Sequence, residues 1–141
     1  MPFVNSILQY IFRNMKSYII SLLCLLLAVG TLSAKEKKDV VYLFGVSYSY
    51  SDSTVYFTEV IPMEGVELES YNRILPNRQH YAYELKDYMN FKEGKPGRIS
   101  AIYFSNKKKK VEKTELKLKK RILKKGGSVR YLGDKFTFTR P

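Results

Sequence analysis

Cysteine is nearly missing from this 141-residue chain: the single Cys24 sits inside an apolar N-terminal run. The remainder therefore has no disulfide, no thiolate nucleophile and no cysteine metal ligand. Histidine is as sparse. His80 has no second histidine and no nearby cysteine to share a metal, which argues against a zinc site. General acid–base chemistry reduces to His80 with Glu84, one helical turn on, and no serine lies in a nucleophile-elbow motif. Gly94-Lys95-Pro96-Gly97-Arg98 is basic and contains glycine, but it lacks phosphate-loop spacing and reads as a turn. Tryptophan is absent, and no internal repeat is visible. These absences leave no catalytic, metal or cofactor signature, so the expectation is a non-enzymatic protein without a cofactor.

What is present is globular in composition, with 45% hydrophobic and 27% charged residues. Twelve tyrosines supply most of the aromatic content. Charge is spread unevenly. Residues 35–97 hold 8 basic and 10 acidic side chains, whereas residues 98–141 hold 15 and 3. Such asymmetry bears on partners and solubility rather than on fold.

Lys16 precedes an apolar stretch, Ser17 to Val29, that ends in small residues. This is the three-part pattern of a secretion signal. Cleavage is expected after Ala34 or after Gly30. The pattern reads most simply with Met15 as the start, which makes Met1–Asn14 an extension. An uncleaved anchor over Phe3–Val29 would bury Asn5, Gln9, Arg13, Asn14 and Lys16 at high cost. A lipid anchor on Cys24 is disfavoured because Leu23 precedes it where a small residue is expected. The expectation is thus a signal over 1–34, one basic domain over 35–141, and a periplasmic or extracellular location.

Within the domain, Asp39–Tyr50 alternates at period two and reads as a strand. Ser51–Thr54 is a turn, and Val55–Ile61 returns as the second strand of a hairpin, ended by Pro62. Met63–Leu75 reads as loop. Asn77 is a candidate cap for a helix to about Phe91, with Tyr81, Leu85, Tyr88 and Met89 on its apolar side. Arg98–Phe104 is a strand, followed by a helix over Lys107–Lys125 that Ser105 or Asn106 can cap and Gly126-Gly127 ends. Ser128–Leu132 and Lys135–Thr139 complete the set. The expected fold class is α+β, order β-β-α-β-α-β: a two-layer sandwich in which two helices cover one face of a four- to five-stranded sheet. The strand–helix–strand over 99–138 has the form of a right-handed crossover between parallel strands.

The clearest functional feature is the second helix. Lys110, Lys113, Lys117, Lys120, Arg121 and Lys124 recur at steps of three and four, opposite Val111, Leu118 and Ile122. This stripe attracts polyanions in a salt-dependent way. A merely solubilising surface would usually mix signs, and this stripe carries no glutamate. Lysines at 107–110 oppose the positive helix N-terminus, unless 107–109 are loop and the helix begins later; the loop is the simpler reading. Tyr48 and Tyr50, in Ser47-Tyr48-Ser49-Tyr50-Ser51, are candidates for stacking on sugars or bases, although an aromatic strand face is more often core.

The segments Val41-Tyr42-Leu43-Phe44-Gly45-Val46, Asp52–Thr58, Tyr83-Glu84-Leu85 and Phe104-Ser105-Asn106-Lys107-Lys108 resemble small exported proteins of uncharacterised function from Bacteroides-type bacteria. The resemblance covers most of residues 39–138 and implies an envelope or extracellular setting, with no activity attached. The region 99–138 also looks like half of a SPOR-type peptidoglycan-binding domain, but the preceding hairpin departs from that family's βαββαβ order. No binding residue is carried over.

Three functional expectations follow. The first is an exported envelope protein whose basic helix binds an anionic envelope polymer, lipid headgroup or acidic protein. The second is an assembly protein that pairs with another chain through its sheet or aromatic face. The third is a small enzyme using His80, Glu84 or other carboxylates gathered by the fold. Nucleic acid fits the charge but conflicts with export.

Overall fold

A computed structural model describes residues 2–29 and 39–141. The chain forms two compact units, each with its own internal contacts. The described residues of the first form one helix, α1 (Pro2–Val29), which continues unbroken through Asn14, Met15 and Lys16. Among the described residues, no helix is long and apolar enough to cross a membrane. The two expected cleavage positions, after Gly30 and after Ala34, lie outside the described residues.

The second unit holds β1 (Val40–Tyr48), β2 (Thr54–Phe57), β3 (Ile61–Glu64), α2 (Arg78–Phe91), β4 (Ile99–Ser105), α3 (Lys108–Lys124) and β5 (Ser128–Tyr131). The fold class is α+β with a five-stranded mixed sheet, as the patterns imply. Among the described residues, every buried core residue belongs to this unit, so it carries its own core.

β1 is the central strand. It pairs antiparallel with β4 along one side, over Tyr42↔Ser105 to Tyr48↔Ile99. On its other side it pairs with β2 and then β3. Its side chains alternate strictly. Val41 and Leu43 join one core cluster, while Phe44 and Val46 join another. The alternation that suggests a half-buried strand thus belongs to a strand covered on both faces.

β2 and β3 are two parts of one run separated by a bulge. The register passes from Val46↔Phe57 to Leu43↔Ile61, so three residues of one strand face two of the other. Thr58 fills the irregularity: its N–H donates to Gly45 O at 2.9 Å, and its Oγ1 accepts from Gly45 N–H at 2.8 Å. The extra residue reverses the alternation. Phe57 faces the second cluster, but Ile61 and Met63 face the first. Hence β3 lies where a loop is expected from the sequence.

The helices lie on opposite faces of the sheet, not on one. Tyr81, Leu85 and Met89 of α2 pack with Val41, Leu43 and Met63, whereas Val111 of α3 packs with Phe44, Val46 and Phe57. Strand order supplies the reason. β3 to β4 crosses β1 in one direction, and β4 to β5 crosses back over β1 and β2 in the other. Both are parallel connections, and about 98% of such crossovers are right-handed. Two crossovers of one hand running in opposite directions must use opposite faces.

Gly45 lets α2 come close, because a Cβ there would lie 2.6 Å from Leu85 Cδ2 and 3.0 Å from Phe138 Cζ. The expected final strand, Lys135–Thr139, is instead a 3-10 turn at Gly133–Lys135 followed by an extended segment. Phe136 and Phe138 alternate inward as a strand would, but they pack on α2: the Tyr88–Phe136 centroids are 5.0 Å apart and Tyr81–Phe138 5.8 Å. A helix surface offers no ladder to pair with.

Arg98 is 5% exposed and pins the turn end of the hairpin. It donates to Ser47 Oγ at 3.2 Å, to Ser47 O at 3.1 Å, to Asp52 Oδ2 at 2.9 Å and to Thr54 O. Its guanidinium carbon lies 4.9 Å from the Tyr56 ring centroid. The Thr54 N–H and then this guanidinium hold the Asp52 carboxyl below its usual range against partial desolvation.

A candidate anion-binding face on α3

α3 begins at Lys108 with Lys107 as N-cap, and no side chain caps it. Lys108 and Lys109 are therefore helical, not loop. Ser105 Oγ accepts from Lys107 N–H at 3.2 Å one step earlier, which satisfies one donor outside the helix proper. The first turn holds no acid to complement the helix dipole. The nearest compensation is Lys108 Nζ to Glu112 Oε1 at 3.6 Å.

The helix ends in a Schellman motif. Gly127 N–H donates to Ile122 O at 3.0 Å and Gly126 N–H to Leu123 O at 3.1 Å, with Gly126 at φ +82°. This turn sends the chain into β5, whose first N–H, on Ser128, reaches Ser53 O at 3.1 Å. The C-terminal end of α3 and the hairpin tip therefore share one end of the unit.

α3 is held to the sheet by a narrow seam. Val111 is buried, and Leu118 and Ile122 are partly buried against the same cluster. One flank is fixed by Tyr131, whose hydroxyl donates to Glu115 Oε1 at 3.0 Å while Lys119 Nζ lies 5.3 Å from its ring centroid. Desolvation, then the Glu115 bond, raises the Tyr131 hydroxyl to about 12. Burial also raises Glu115, opposed by the Tyr131 donor and assisted by Glu59.

Opposite the seam lie Lys110, Lys113, Lys117, Lys120, Arg121 and Lys124, all exposed. Among the described residues none of the six has a carboxylate within ion-pair distance. The three acids of residues 98–141 lie elsewhere: Glu112 meets Lys108, Glu115 meets Tyr131, and Asp134 sits in the 3-10 turn. Lys109, four residues before Lys113, extends the same stripe. So does Arg73 at its start: this loop residue shares a cleft of about 300 Å³ with Lys107 and Lys110. Arg73 carries no periodic signal that could have marked it in the sequence.

Comparison with family models, with curated proteins and with solved structures finds no match. The reading therefore rests on the site alone.

The other candidates are placed as follows. Tyr50 is 91% exposed at the hairpin tip, and Tyr48 is half-buried with its ring 6.3 Å from that of Tyr50. Neither ring contacts a lysine of the stripe in the described residues. His80 Nε2 stands 4.0 Å from Glu84 Oε2 on the surface of α2, beside an open depression of about 660 Å³. The Glu84 carboxylate is engaged by Thr139, accepting from its N–H at 3.0 Å and its Oγ1 at 2.7 Å. It acts as a clasp on the C-terminal segment. Among the described residues, no group of three or more His, Cys, Asp or Glu is arranged to hold a metal ion.

Proposed function

We propose that this is an exported, non-enzymatic envelope protein that binds an anionic partner electrostatically through the outer face of α3. One observation carries the reading: six exposed cations on a single helix face, without a carboxylate to neutralise them. A field of one sign raises the local concentration of an opposite charge and is screened by salt. Export, to the periplasm or cell exterior, is supported by Lys16 followed by the apolar run Ser17–Val29. An anionic envelope polymer, a lipid headgroup and an acidic protein all meet the electrostatic requirement.

The test is cosedimentation of residues 39–141 with sacculi, anionic vesicles and acidic polymers across a salt series. Wild type is expected to pellet at low salt and to release as salt rises. The variant Lys113→Glu/Lys117→Glu/Lys120→Glu is expected to stay in solution. Undiminished binding by that variant would sink the proposal.

A second reading, assembly through the sheet edge, has one observation in its favour. β4 pairs only with β1 among the described residues, and its seven residues, Ile99–Ser105, carry no charge and no proline. An unguarded edge of this kind pairs readily with another strand. It predicts dimerisation of residues 39–141 that is insensitive to salt and lost in Ile99→Lys. A sedimentation-equilibrium mass that stays monomeric removes this reading.

A further inference from the structure

The outer side of α3 is not uniformly polar. Leu116 and Leu123 are 52% and 51% exposed. They stand seven residues apart, so two helical turns place them on one line. Helical spacing sets Lys113 and Lys120 on one side of that line and Lys119 on the other. Tyr131 continues the apolar strip onto β5, half-exposed and lying under Lys119. Tyr50, Tyr71, Tyr83 and Phe91, the other widely exposed rings of the unit, lie on loops and α2.

A soluble polyanion answers the lysines and offers nothing to the leucines. An acidic protein answers both only with a matching apolar patch. A bilayer containing anionic phospholipid presents negative headgroups directly above hydrocarbon along its whole surface. Lysine stems lie along such a boundary while their ammonium groups stay at phosphate level. The partial positive charge at the α3 N-terminus, uncompensated by acid in its first turn, adds to the attraction.

We propose that α3 lies in the plane of an anionic phospholipid bilayer, with its lysines on the headgroups and Leu116 and Leu123 entering the acyl boundary. This rests on the anion-binding reading above and selects one partner for it.

The chain has no tryptophan, so Leu116→Trp in residues 39–141 gives a single reporter. The probes are vesicles of phosphatidylglycerol with phosphatidylcholine, vesicles of phosphatidylcholine alone, and soluble polyglutamate. A blue shift with the anionic vesicles, and none with the other two, is expected. Leu116→Ser/Leu123→Ser is expected to weaken vesicle binding about tenfold while leaving polyglutamate binding unchanged. Vesicles that pellet the protein without shifting the emission, or without loss in the serine variant, overturn the bilayer and leave the electrostatic reading standing. If neither vesicles nor polyglutamate bind, both fall.

Discussion

The two faces of the sheet are finished differently. The α2 face is closed: Tyr81, Leu85 and Met89 are buried, Phe136 and Phe138 fold over them, and Glu84 clasps Thr139. The α3 face is half-finished. Its helix buries one residue fully, leaves two leucines half in water, and turns its cations outward. One helix is committed to the core. The other is anchored by a seam, a glycine turn and one tyrosine, which leaves its outer surface available to a partner. On a stability argument alone, the second helix would be expected to resemble the first.

The sharpest way to break this comparison is to exchange what each face does. Leu85→Ala opens a cavity at a fully buried site beneath α2. It is expected to cost about 2–5 kcal/mol in denaturant unfolding without altering anion binding at conditions where the domain stays folded. The triple lysine reversal on α3 is expected to do the opposite. It abolishes binding and shifts unfolding by no more than about 0.5 kcal/mol per site, because exposed helix positions away from the seam carry little packing. A large loss of stability in the triple variant would mean that the stripe is structural.

A smaller effect probes the α3 flank. The Tyr131 hydroxyl is raised from 10.0 to about 12. A group whose folded pKa is raised favours folding at pH below its unfolded value, and that contribution is lost as pH climbs from 10 through 12. Tyr131→Phe is expected to flatten this alkaline limb in part and to remove one late step from the tyrosine absorbance titration. Burial raises Tyr81 and Tyr88 as well, so their share of the limb remains. Loss of a step near 10 rather than near 12 in Tyr131→Phe would show that its bond to Glu115 does not form.

Local periodicity made much of this legible. The α2 stripe Tyr81, Leu85 and Met89, the β1 alternation and the lysine stripe are each set by the geometry of one element. Strand order was not legible, and with it went the side of the sheet each helix covers. Nor was the bulge, because Thr58-Glu59-Val60 carries no local mark of the inserted residue that turns Ile61 and Met63 about. Arg98 reads as part of a basic turn because Ser47, Asp52 and Thr54, its partners, lie more than forty positions away. Phe136 and Phe138 show that alternation marks an extended chain with one side buried, not the presence of a ladder.

The central claim is that α3 is the binding surface, and amide chemical-shift mapping tests it most directly. Residues 39–141 would be titrated with polyglutamate at low salt. Shifts are expected to concentrate over Lys109–Lys124 and Arg73, and to collapse at about 0.5 M salt, where screening reaches only a few ångströms. Shifts centred on the β4 edge or around His80, or shifts indifferent to salt, would contradict it.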